Sequence, residues 1–556
     1  MSSHVANATR YAEQVAVGEI PACKLVRLAC QRQLDDLARE NFPYIFDAAR
    51  AEKFCRFVEL LPHIKGPKAR TRIILEPWQK FILCCVFGWV RKGNERQRRF
   101  RRSYVEVPRG NAKSTISSAI GLGCLVLDEE GGAEIYSAAT TRDQAKIVFD
   151  AAQQMARMSE GYRRKYGVQV NAHNICQLSS ASKFEPLSAE ANTLDGLNIH
   201  VAIVDELHAH RTREVYDVLE TGTGKREQSL LWSITTAGSN RAGICYEIRS
   251  YLTKVLNKVT EDDSFFGIIY SIDDDDEWTD PEIWKKANPN WGVSVMPEVI
   301  GQLAHKAMQM PSAQNNFKTK HLCLWVNADH AWMDMQRWAK CADPTLDETD
   351  FAGQSCIVGL DLASKLDLLA KVKLFWKKIE GKRHYYVFGD YWTPEERVEQ
   401  SANSQYKGWV IEGKLHTCPG ETNDYDVVED AIRADCKSYD VLEVAHDPYQ
   451  AQQFVNHLMP EGIKMVEVSQ MPKQLSEPMK ELEAAVYDGR FHFNGDPIMS
   501  WAISNVVCHL DKNDNLFPTK QTYENKIDPV TALLTALNRV MANDDIDPEA
   551  SRPFFV

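Results

Sequence analysis

One stretch of the chain places a lysine, a serine and a threonine where an apolar run gives way to a helical pattern: Tyr104-Val-Glu-Val-Pro-Arg-Gly-Asn-Ala-Lys-Ser-Thr115. A strand, a tight loop and a helix start in this order form a phosphate-binding loop, because backbone N–H groups and the helix N-terminus face the phosphates. In such a loop Lys113 would reach the β- and γ-phosphates and Ser114 would hold Mg²⁺. Val107 and Ala112 stand where the usual pattern has glycine, so a plain strand–turn–helix stays open as an alternative.

Two acids end a second apolar run, His200-Val-Ala-Ile-Val-Asp-Glu206. A continuous apolar run is typical of a buried parallel strand, and ligands gather at the carboxyl ends of such strands. We expect Asp205 to bind Mg²⁺ through water or Ser114, and Glu206 to polarise the attacking water of a phosphoryl transfer. A third run, Leu230–Gly238, ends in small hydroxyl residues that can sense a γ-phosphate. Capping of the next helix is the alternative for the two acids alone, but three such strand ends together favour an ATP site.

A second group of acids lies in the last two hundred residues. Asp361 stands inside an apolar strand pattern, where an acid is costly to bury unless it is paired or binds a metal. Asp447 ends another strand pattern, and Asp528 opens the apolar helix Val530–Val540. Three acids from two strands and one helix would suit two Mg²⁺ or Mn²⁺ ions acting on a phosphodiester. A helix cap for Asp528 and a turn for Asp447 remain alternatives, but neither explains Asp361.

Three other groups of polar residues can be explained without a catalytic role. The acidic stretch Asp273–Glu277 has no glycine turn or ligand rhythm of an EF-hand and is expected to be a solvated loop. His208 and His210 have no third metal ligand nearby and are expected to be structural. The stretch Arg91–Arg102 carries seven basic residues and one acid. It is equally compatible with a solvated basic hairpin and with a contact to DNA or a partner.

The elements that must position these residues follow from the hydrophobic pattern. Between residues 66 and 240 strand-like runs alternate with helical patterns, which predicts a doubly wound α/β domain. A second set of strands begins at Cys356, and helices dominate the end of the chain. The predicted strands of this set are Ile357–Leu362, Leu369–Trp376, His384–Asp390 and Leu442–His446.

Composition restricts the class of protein. A chain of 556 residues with 44% hydrophobic and 26% charged residues is expected to fold into two sizeable domains. No apolar run approaches the length of a membrane helix, Phe81–Val90 is expected to be a buried helix, and Met1–Tyr11 does not resemble a signal peptide. Fourteen scattered cysteines without a C-x-x-C pair indicate reduced thiols and argue against structural zinc. The net charge of −12 does not favour bulk electrostatic binding of nucleic acid, so any DNA contact would use local patches.

Over roughly residues 65–540 the chain resembles the large subunit of tailed-phage terminases. Its ATPase motifs include a degenerate Walker A with an arginine, a Walker B that follows Asp-Gly-Leu-Asn and continues into Asp-Glu-Leu-His, and a Thr-Thr-Ala-Gly coupling motif. The matching segments are Pro108–Thr115, Asp195–Asn198, Asp205–His208 and Thr235–Gly238. Upstream, Leu75–Phe81 is similar to the family's adenine-contacting segment, which implies that Gln79 reads the adenine. An arginine is expected to complete the site, with Arg109 the stronger candidate and Arg142 the weaker.

The second half resembles the family's nuclease domain, which implies an RNase H-like fold. The matching motifs are Gly359-Leu-Asp361, His446-Asp-Pro448 and Ile527-Asp-Pro-Val-Thr-Ala532. Asp367 fits the first hairpin as an auxiliary ligand, and Lys520 is a candidate for contact with phosphate or DNA.

The resemblance implies an ATP-hydrolysing motor that translocates double-stranded viral DNA into the procapsid, joined to a two-metal endonuclease that cuts concatemeric DNA. The implied cofactors are ATP and Mg²⁺, with Mn²⁺ as an alternative at the nuclease site. The implied partners are double-stranded DNA, the small terminase subunit, the procapsid portal and further copies of the chain in a pentameric ring. The implied location is the cytoplasm of the infected host cell, and no membrane is involved. The implied ATP-binding residues are Gln79, Arg109, Gly110, Asn111, Ala112, Lys113, Ser114, Thr115 and Asp205. The implied catalytic residues are Glu206, Arg109, Asp361, Asp447 and Asp528, and the implied metal ligands are Ser114, Asp205, Asp361, Asp447 and Asp528.

The expected fold class is therefore α/β, with an N-terminal P-loop NTPase domain built on a parallel sheet and a C-terminal RNase H-like nuclease domain. The expected segments are a helical extension (1–64), the ATPase core (65–240), a lid or linker subdomain (241–345), the nuclease domain (346–545) and a tail (546–556). Two other functions remain open: a helicase or repair ATPase–nuclease, and a regulatory P-loop ATPase whose inactive second domain serves as a scaffold. A helicase is expected to carry further motifs on a second P-loop-like domain, and a scaffold requires the three acids to be held apart.

Overall fold

The computed structural model describes residues 3–187, 196–210, 212–241, 243–326, 332–362, 368–400, 405–449, 451–510, 515–520 and 524–543. The chain forms two compact units. The first contains Met1–Gln309 and Asn316–Val326, and the second contains Met310–Asn315 and Asn327–Val556. The finer division into an extension, a core, a lid, a nuclease domain and a tail stays a prediction.

The first unit is built on a largely parallel sheet. Its strands are β1 (Tyr44–Phe46), β2 (Trp89–Arg91), β3 (Asn94–Arg98), β4 (Arg102–Glu106), β5 (Glu134–Ala138), β6 (Val168–Val170), β7 (Ile175–Gln177), β8 (Ser182–Pro186), β9 (Ile199–Asp205), β10 (Leu230–Thr235) and β11 (Phe265–Ile269). The order among the described strands is β11-β4-β10-β9-β5-β8-β7-β6, and β1-β2-β3 form a small antiparallel sheet. Strands β11, β4, β10, β9, β5 and β8 run parallel, which confirms the predicted α/β class.

Helices surround this sheet. They are α1 (His4–Ala16), α2 (Lys24–Ala38), α3 (Ala48–Leu60), α4 (Pro77–Gly88), α5 (Lys113–Leu127), α6 (Arg142–Met158), α7 (Glu160–Tyr166), α8 (Glu214–Gly222), α9 (Ile244–Leu256), α10 (Trp284–Ala287), α11 (Pro297–Gln309) and α12 (Pro311–His321), the last divided between the units. The predicted buried helix is α4, which is buried from Trp78 to Gly88 except for Lys80. Every residue of β9 is buried, as its continuous apolar sequence requires of a central parallel strand.

The second unit is a mixed sheet with helices. Its strands are β12 (Ser355–Asp361), β13 (Leu369–Ile379), β14 (Lys382–Pro394), β15 (His416–Cys418), β16 (Asp440–His446), β17 (Met465–Glu467) and β18 (Phe491–Phe493), with a separate hairpin of β19 (Val506–Leu510) and β20 (Leu516–Lys520). Its helices are α13 (Met335–Lys340), α14 (Glu395–Gln400), α15 (Gln405–Ile411), α16 (Tyr425–Ser438), α17 (Gln452–Leu458), α18 (Pro472–Tyr487), α19 (Pro497–Asn505) and α20 (Asp528–Ala542). The described sheet has the order β15-β14-β13-β12-β16-β17, with β18 on β14.

The pairing within this sheet places two strand ends side by side. Strands β12, β13 and β14 form the predicted antiparallel hairpins, whereas β12 and β16 run parallel, with Leu360 level with His446. The residues that follow in each strand, Asp361 and Asp447, therefore lie at the same edge.

The cysteines and the helices bear on two general properties. All fourteen cysteines are free thiols, as expected. Within the described ranges, no helix is both long enough and apolar enough to cross a membrane.

Candidate active sites

The loop between β4 and α5 adopts the backbone that phosphate binding requires. Gly110 and Ala112 both have left-handed conformations, with φ of 88° and 56°. Glycine adopts this region freely, but for alanine it costs roughly 1–2 kcal/mol. Ala112 thus has the unusual conformation expected of the glycine that the common pattern has there. The helix begins at the next residue, Lys113.

The lysine of this loop folds back over it. Lys113 is buried, and its Nζ donates to the carbonyl oxygen of Val107 at 3.2 Å and lies 3.7 Å from Oε1 of Glu206. The ammonium group therefore sits between the loop and the end of β9, where the β- and γ-phosphates of a nucleotide would lie.

The carboxyl ends of β4, β10 and β9 are level. In the parallel register Thr235 lies opposite Glu106 and Ile234 opposite Asp205. At this edge Ser114 Oγ donates to Asp205 Oδ2 at 3.4 Å. A hydroxyl and a carboxylate in this arrangement are oxygen ligands of the kind that Mg²⁺ prefers.

The two acids at the end of β9 differ in their electrostatics. Burial, together with the charge of Glu206, raises the pKa of Asp205 to about 6. Burial also raises the pKa of Glu206, but the hydrogen bond from His208 and the charges of Lys113 and Lys320 outweigh it and lower this pKa to about 2. Glu206 is therefore ionised at neutral pH, as is needed of a group that polarises water.

His208 contacts this site directly. Its Nδ1 lies 3.0 Å from Thr235 Oγ1 and 3.2 Å from Glu206 Oε2, and its Nε2 lies 2.9 Å from Lys320 Nζ. The sequence interpretation of His208 as a purely structural residue missed these contacts, since the sequence does not show which side chains from other strand ends face it.

A segment far along the chain supports the loop. The Asn111 side chain is fully buried; its Nδ2 donates to Asn288 Oδ1 at 3.2 Å, and its Oδ1 accepts from the Asn290 backbone N–H at 3.0 Å. Ser294 Oγ donates to the Gly110 carbonyl at 2.7 Å. Asn290 also accepts from Trp78 Nε1 at 2.7 Å, which connects the start of α4 to the same segment.

The remaining candidates for the ATP site are Gln79, Arg109 and Thr115. The Gln79 side chain accepts from the Glu76 backbone N–H at 2.9 Å within the capping box of α4, so its role as an adenine reader stays a prediction. Arg109 is exposed, and its backbone N–H donates to the Lys320 carbonyl at 2.8 Å. Thr115 is half-buried in the first turn of α5.

In the second unit, packing of α20 against β12 determines where the acids lie. A Cβ on Gly359 would stand 2.1 Å from the carbonyl oxygen of Ala532, so only glycine allows this approach. Gly359 and Asp361 share one face of β12 because side chains alternate along a strand. Asp528 precedes Ala532 by one helical turn, and the contact therefore carries it toward Asp361.

The resulting site is dominated by negative charge. Burial raises the pKa of Asp361 well above its usual range, and the charges of Asp528 and Asp447 raise it further. Gln470 Nε2 donates to Asp361 Oδ1 at 3.1 Å, which acts in the opposite direction and lowers this pKa. An acid whose pKa is raised by burial and by two neighbouring carboxylates fits a site for divalent cations, whose charge would reverse the repulsion.

Comparisons with known proteins bear on both units. The family model for the terminase large subunit, endonuclease domain, matches residues 259–544, and that for the terminase large subunit, ATPase domain, matches residues 77–254. The chain belongs to the terminase large subunit family. It therefore carries the family's ATPase and nuclease domains, and the expected fold class is confirmed.

Individual proteins similar to this chain include two curated sequences and one solved structure. Protein YmfN of Escherichia coli (strain K12) is 40% identical over 363 residues, which is 64% of this chain and 80% of that protein. The terminase large subunit of Enterobacteria phage HK97 is 25% identical over 498 residues, 87% of this chain and 94% of that protein. The crystal structure of the HK97 large terminase is similar with a TM-score of 0.43 and 24% identity, covering 88% of this chain and 99% of that one.

The structure also bears on the two alternatives without a metal, a turn for Asp447 and a helix cap for Asp528. Asp447 does accept the Tyr449 backbone N–H at 3.0 Å, as a turn residue would, and it acts electrostatically on Asp361 as well. Asp528 is the first residue of α20, and the cap position belongs to Ile527, so the helix-cap interpretation is wrong for Asp528.

Several predicted residues receive no further support. Asp195, Asp367 and the side chain of Arg142 lie outside the described part of the structure. Lys520 ends β20, opposite Val506. Gln470 was missed by the sequence analysis, because a glutamine between a short strand and a helix carries no motif.

The basic stretch contains the expected hairpin, formed by β2 and β3, but it is solvated only in part, and its contact with DNA or a partner stays a prediction. Arg98 and Arg99 are buried, and they pair with Asp128 and Asp36, respectively. Arg102 contacts Glu220 and Asp262. Exposed basic residues of the stretch are Arg91, Lys92 and Arg96.

The acidic loop was expected to be solvated, and this is wrong for two of its members. Asp273 and Asp276 both bind Lys286 Nζ, at 3.3 and 2.7 Å. Asp273 also accepts the Lys24 backbone N–H at 2.6 Å, at the start of α2. The loop thus joins α10 to α2 by charged contacts.

Proposed function

We propose that this chain is the ATP-driven motor that translocates double-stranded viral DNA into the procapsid, and that it is also the endonuclease that cuts concatemeric DNA. The observation that supports the motor best is the meeting of Lys113, Ser114, Asp205 and Glu206 at the level ends of adjacent parallel strands. The observation that supports the nuclease is the electrostatic interaction of Asp361 with two acids from other elements.

In the ATPase site each residue has a separate task. The loop N–H groups and Lys113 would bind the phosphates, Ser114 and Asp205 would hold Mg²⁺, and Glu206 would orient the attacking water. Bound Mg²⁺ would neutralise charge on the phosphates. Gly110, Asn111, Ala112 and Thr115 would shape the loop around them, and the exposed Arg109 would be free to meet the nucleotide of its own or a neighbouring subunit.

In the nuclease site Asp361, Asp447 and Asp528 would hold two Mg²⁺ or Mn²⁺ ions. Such ions stabilise the attacking and leaving oxygens of a phosphodiester. Gln470, which donates to Asp361 at 3.1 Å, would keep its carboxylate oriented toward the ions.

The proposed partners follow from the family. They are double-stranded DNA, the small terminase subunit, the procapsid portal and further copies of the chain in a ring, in the cytoplasm of the infected cell. A regulatory ATPase with a scaffold domain is a less suitable function, because a scaffold requires the three acids to stand apart and Asp361 interacts with both others.

The test is to incubate the purified chain with supercoiled plasmid and Mn²⁺, with and without ATP, and to measure phosphate release and DNA cutting in parallel. We expect both activities. Lys113→Ala should lose nucleotide affinity and turnover together, because its charge meets the phosphates in both the ground and transition states. A chain that releases no phosphate and leaves the plasmid intact would contradict the proposal.

A further inference from the structure

The segment that follows α11 contacts all three strand ends of the ATP site. The Lys320 carbonyl accepts the backbone N–H of Arg109 in the phosphate-binding loop at 2.8 Å. The Val326 backbone N–H donates to the carbonyl of Gly238, beyond the end of β10, at 3.2 Å. The Lys320 ammonium lies 2.9 Å from His208 Nε2, just beyond the end of β9.

The contact between Lys320 and His208 determines where the imidazole proton lies. An ammonium group has donors and no acceptor, so Nε2 of His208 must be the unprotonated, accepting nitrogen. Burial lowers the pKa of His208, and the charge of Lys320 lowers it further against the opposing effect of Glu206, so the ring is neutral at neutral pH. Its single proton is therefore on Nδ1.

The Nδ1 proton faces the catalytic acid and the coupling motif. Thr235 Oγ1 donates its own proton to the Thr236 carbonyl at 2.8 Å, so it can only accept from His208 Nδ1, 3.0 Å away. Glu206 Oε2, 3.2 Å from the same nitrogen, is the second acceptor. The Thr236 backbone N–H, at 3.4 Å, also points to this carboxylate oxygen.

We propose that Lys320 and His208 are positioning residues of the ATPase: Lys320 fixes the tautomer of His208, and His208 Nδ1–H holds the Glu206 carboxylate and Thr235 in one arrangement. The inference rests on the proposed ATP hydrolysis at Glu206. Neither residue needs to touch the nucleotide, and the pair joins the ends of β9 and β10 to the segment that leads out of the first unit.

This role predicts how the loss of Lys320 should change the kinetics of ATP hydrolysis. Loss of Lys320 lets the imidazole adopt the other tautomer, in which Nδ1 accepts and repels the Glu206 oxygen. The attacking water is then poorly oriented, while the phosphate contacts of Lys113 and the loop are unchanged. We therefore expect kcat to fall, by about tenfold to hundredfold for a misplaced catalytic group, with the KM for ATP within about twofold.

The experiment compares steady-state ATP hydrolysis by the full chain carrying Lys320→Met, Lys320→Arg or Lys318→Met. Lys320→Arg keeps a donor for Nε2 and should recover most of kcat. Lys318→Met is the matched control, since Lys318 lies two residues away on α12 and faces the Trp278 ring at 4.8 Å. It should leave kcat unchanged. Thermal unfolding and ADP binding show whether each variant is folded, and Lys320→Leu, which also has no donor, replaces Lys320→Met if the latter is not.

A second pair of variants separates tautomer control from general damage. His208→Asn keeps a side-chain donor near the Nδ1 position but has no tautomers, so adding Lys320→Met to it should cost no more than about twofold. His208→Ala removes the donor and should lower kcat as far as Lys320→Met does.

The outcomes are distinct. Three results would overturn the inference while leaving the proposed function intact. Lys320→Met would have the wild-type kcat, or it would change only the KM for ATP, or it would lower kcat as much in His208→Asn as it does in the wild type. An inactive wild-type chain, or a fully active Glu206→Gln, would overturn both.

Discussion

Asp361, a proposed metal ligand, is expected to be unfavourable for stability in the absence of a metal ion. Its pKa is raised by burial and by the charges of Asp528 and Asp447. An acid whose pKa is higher in the folded state than in the unfolded state destabilises the fold above its unfolded pKa, because the folded state must then lose a proton it prefers to keep. The penalty is absent at low pH and grows as the pH rises from the unfolded pKa to the folded pKa.

We therefore expect Asp361→Asn to raise the melting temperature of the metal-free protein at pH 7, by about 2–4 °C for each kcal/mol of repulsion relieved. The difference from the wild type should shrink as the pH falls below about 4, where the unfolded carboxyl is itself protonated. Mn²⁺ should raise the melting temperature of the wild type more than that of the variant. Thermal unfolding in EDTA across this pH range measures the effect. A variant less stable than the wild type at pH 7 in EDTA would contradict it.

For single residues, the sequence was informative where a charged side chain occupied a position that the local hydrophobic pattern does not explain. An acid in an apolar strand pointed to Asp361, and a lysine before two hydroxyl residues pointed to Lys113. Their roles stay predictions. Contacts made by ordinary polar residues, such as those of Gln470 and His208, could not be predicted, because they depend on which side chains from distant segments face one another.

Among the elements, one contact between a helix and a strand positions the acids of the proposed nuclease site. The carbonyl oxygen of Ala532 in α20 occupies the space of a Cβ on Gly359 in β12, and this approach carries Asp528 toward Asp361. The motif Gly-x-Asp therefore has a geometric reason: glycine admits the helix, and the acid two residues later shares the same face.

Gly359→Ala should separate the two elements, because backbone cannot move aside as a flexible side chain can. Overpacking of this kind costs about 1–3 kcal/mol, and plasmid cutting should fall much further than ATP hydrolysis. Gly408→Ala is the control, since nothing lies within 4 Å of its added Cβ and alanine favours the helix it occupies. Denaturant unfolding and both activity assays would measure the change. Normal cutting by Gly359→Ala would mean that the contact does not position Asp528.

Strand patterns predicted β12, β13, β14 and β16, since apolar runs of this length are specific. They did not predict that two lysines would be buried in β13. Lys371 and Lys373 are each less than 5% exposed, and they pair with Asp435 and Asp390. Asp390 lies opposite Lys371 on the neighbouring strand of the hairpin, but Asp435 is 64 residues from Lys371 along the chain, and a pattern of apolar and polar residues cannot identify it.

Across the full chain, 77 acidic and 65 basic residues give a net charge of −12, and Arg98 and Arg99 of the basic stretch are buried in the first unit. Arg99 is almost completely buried; it donates to Asp36 at 2.7 Å and lies against the rings of Phe42 and Phe100. The sequence suggested a surface patch because its partner Asp36 is 63 residues away along the chain.

Arg99→Ala should therefore destabilise the fold, by about 3–5 kcal/mol, as expected when one partner of a buried ion pair is removed. Arg96→Ala, at an exposed position of the same stretch, should change the free energy of unfolding by less than about 0.5 kcal/mol. Denaturant titration of the two variants distinguishes a structural arginine from a surface one. Equal stabilities, with a loss of DNA binding in Arg99→Ala alone, would restore the interpretation as a DNA-binding patch.

The central claim is that one chain carries two separate catalytic sites, one in each unit. The most direct measurement assays ATP hydrolysis and Mn²⁺-dependent plasmid cutting side by side in the wild type, Glu206→Gln and Asp361→Asn. We predict that Glu206→Gln binds ATP and cuts plasmid but loses hydrolysis, because only the orientation of the attacking water is harmed. Asp361→Asn should hydrolyse ATP within a few-fold of the wild type and leave the plasmid uncut. The claim would be contradicted if either variant, with its fold intact, lost both activities. It would also be contradicted if Glu206→Gln still hydrolysed ATP or if Asp361→Asn still cut plasmid.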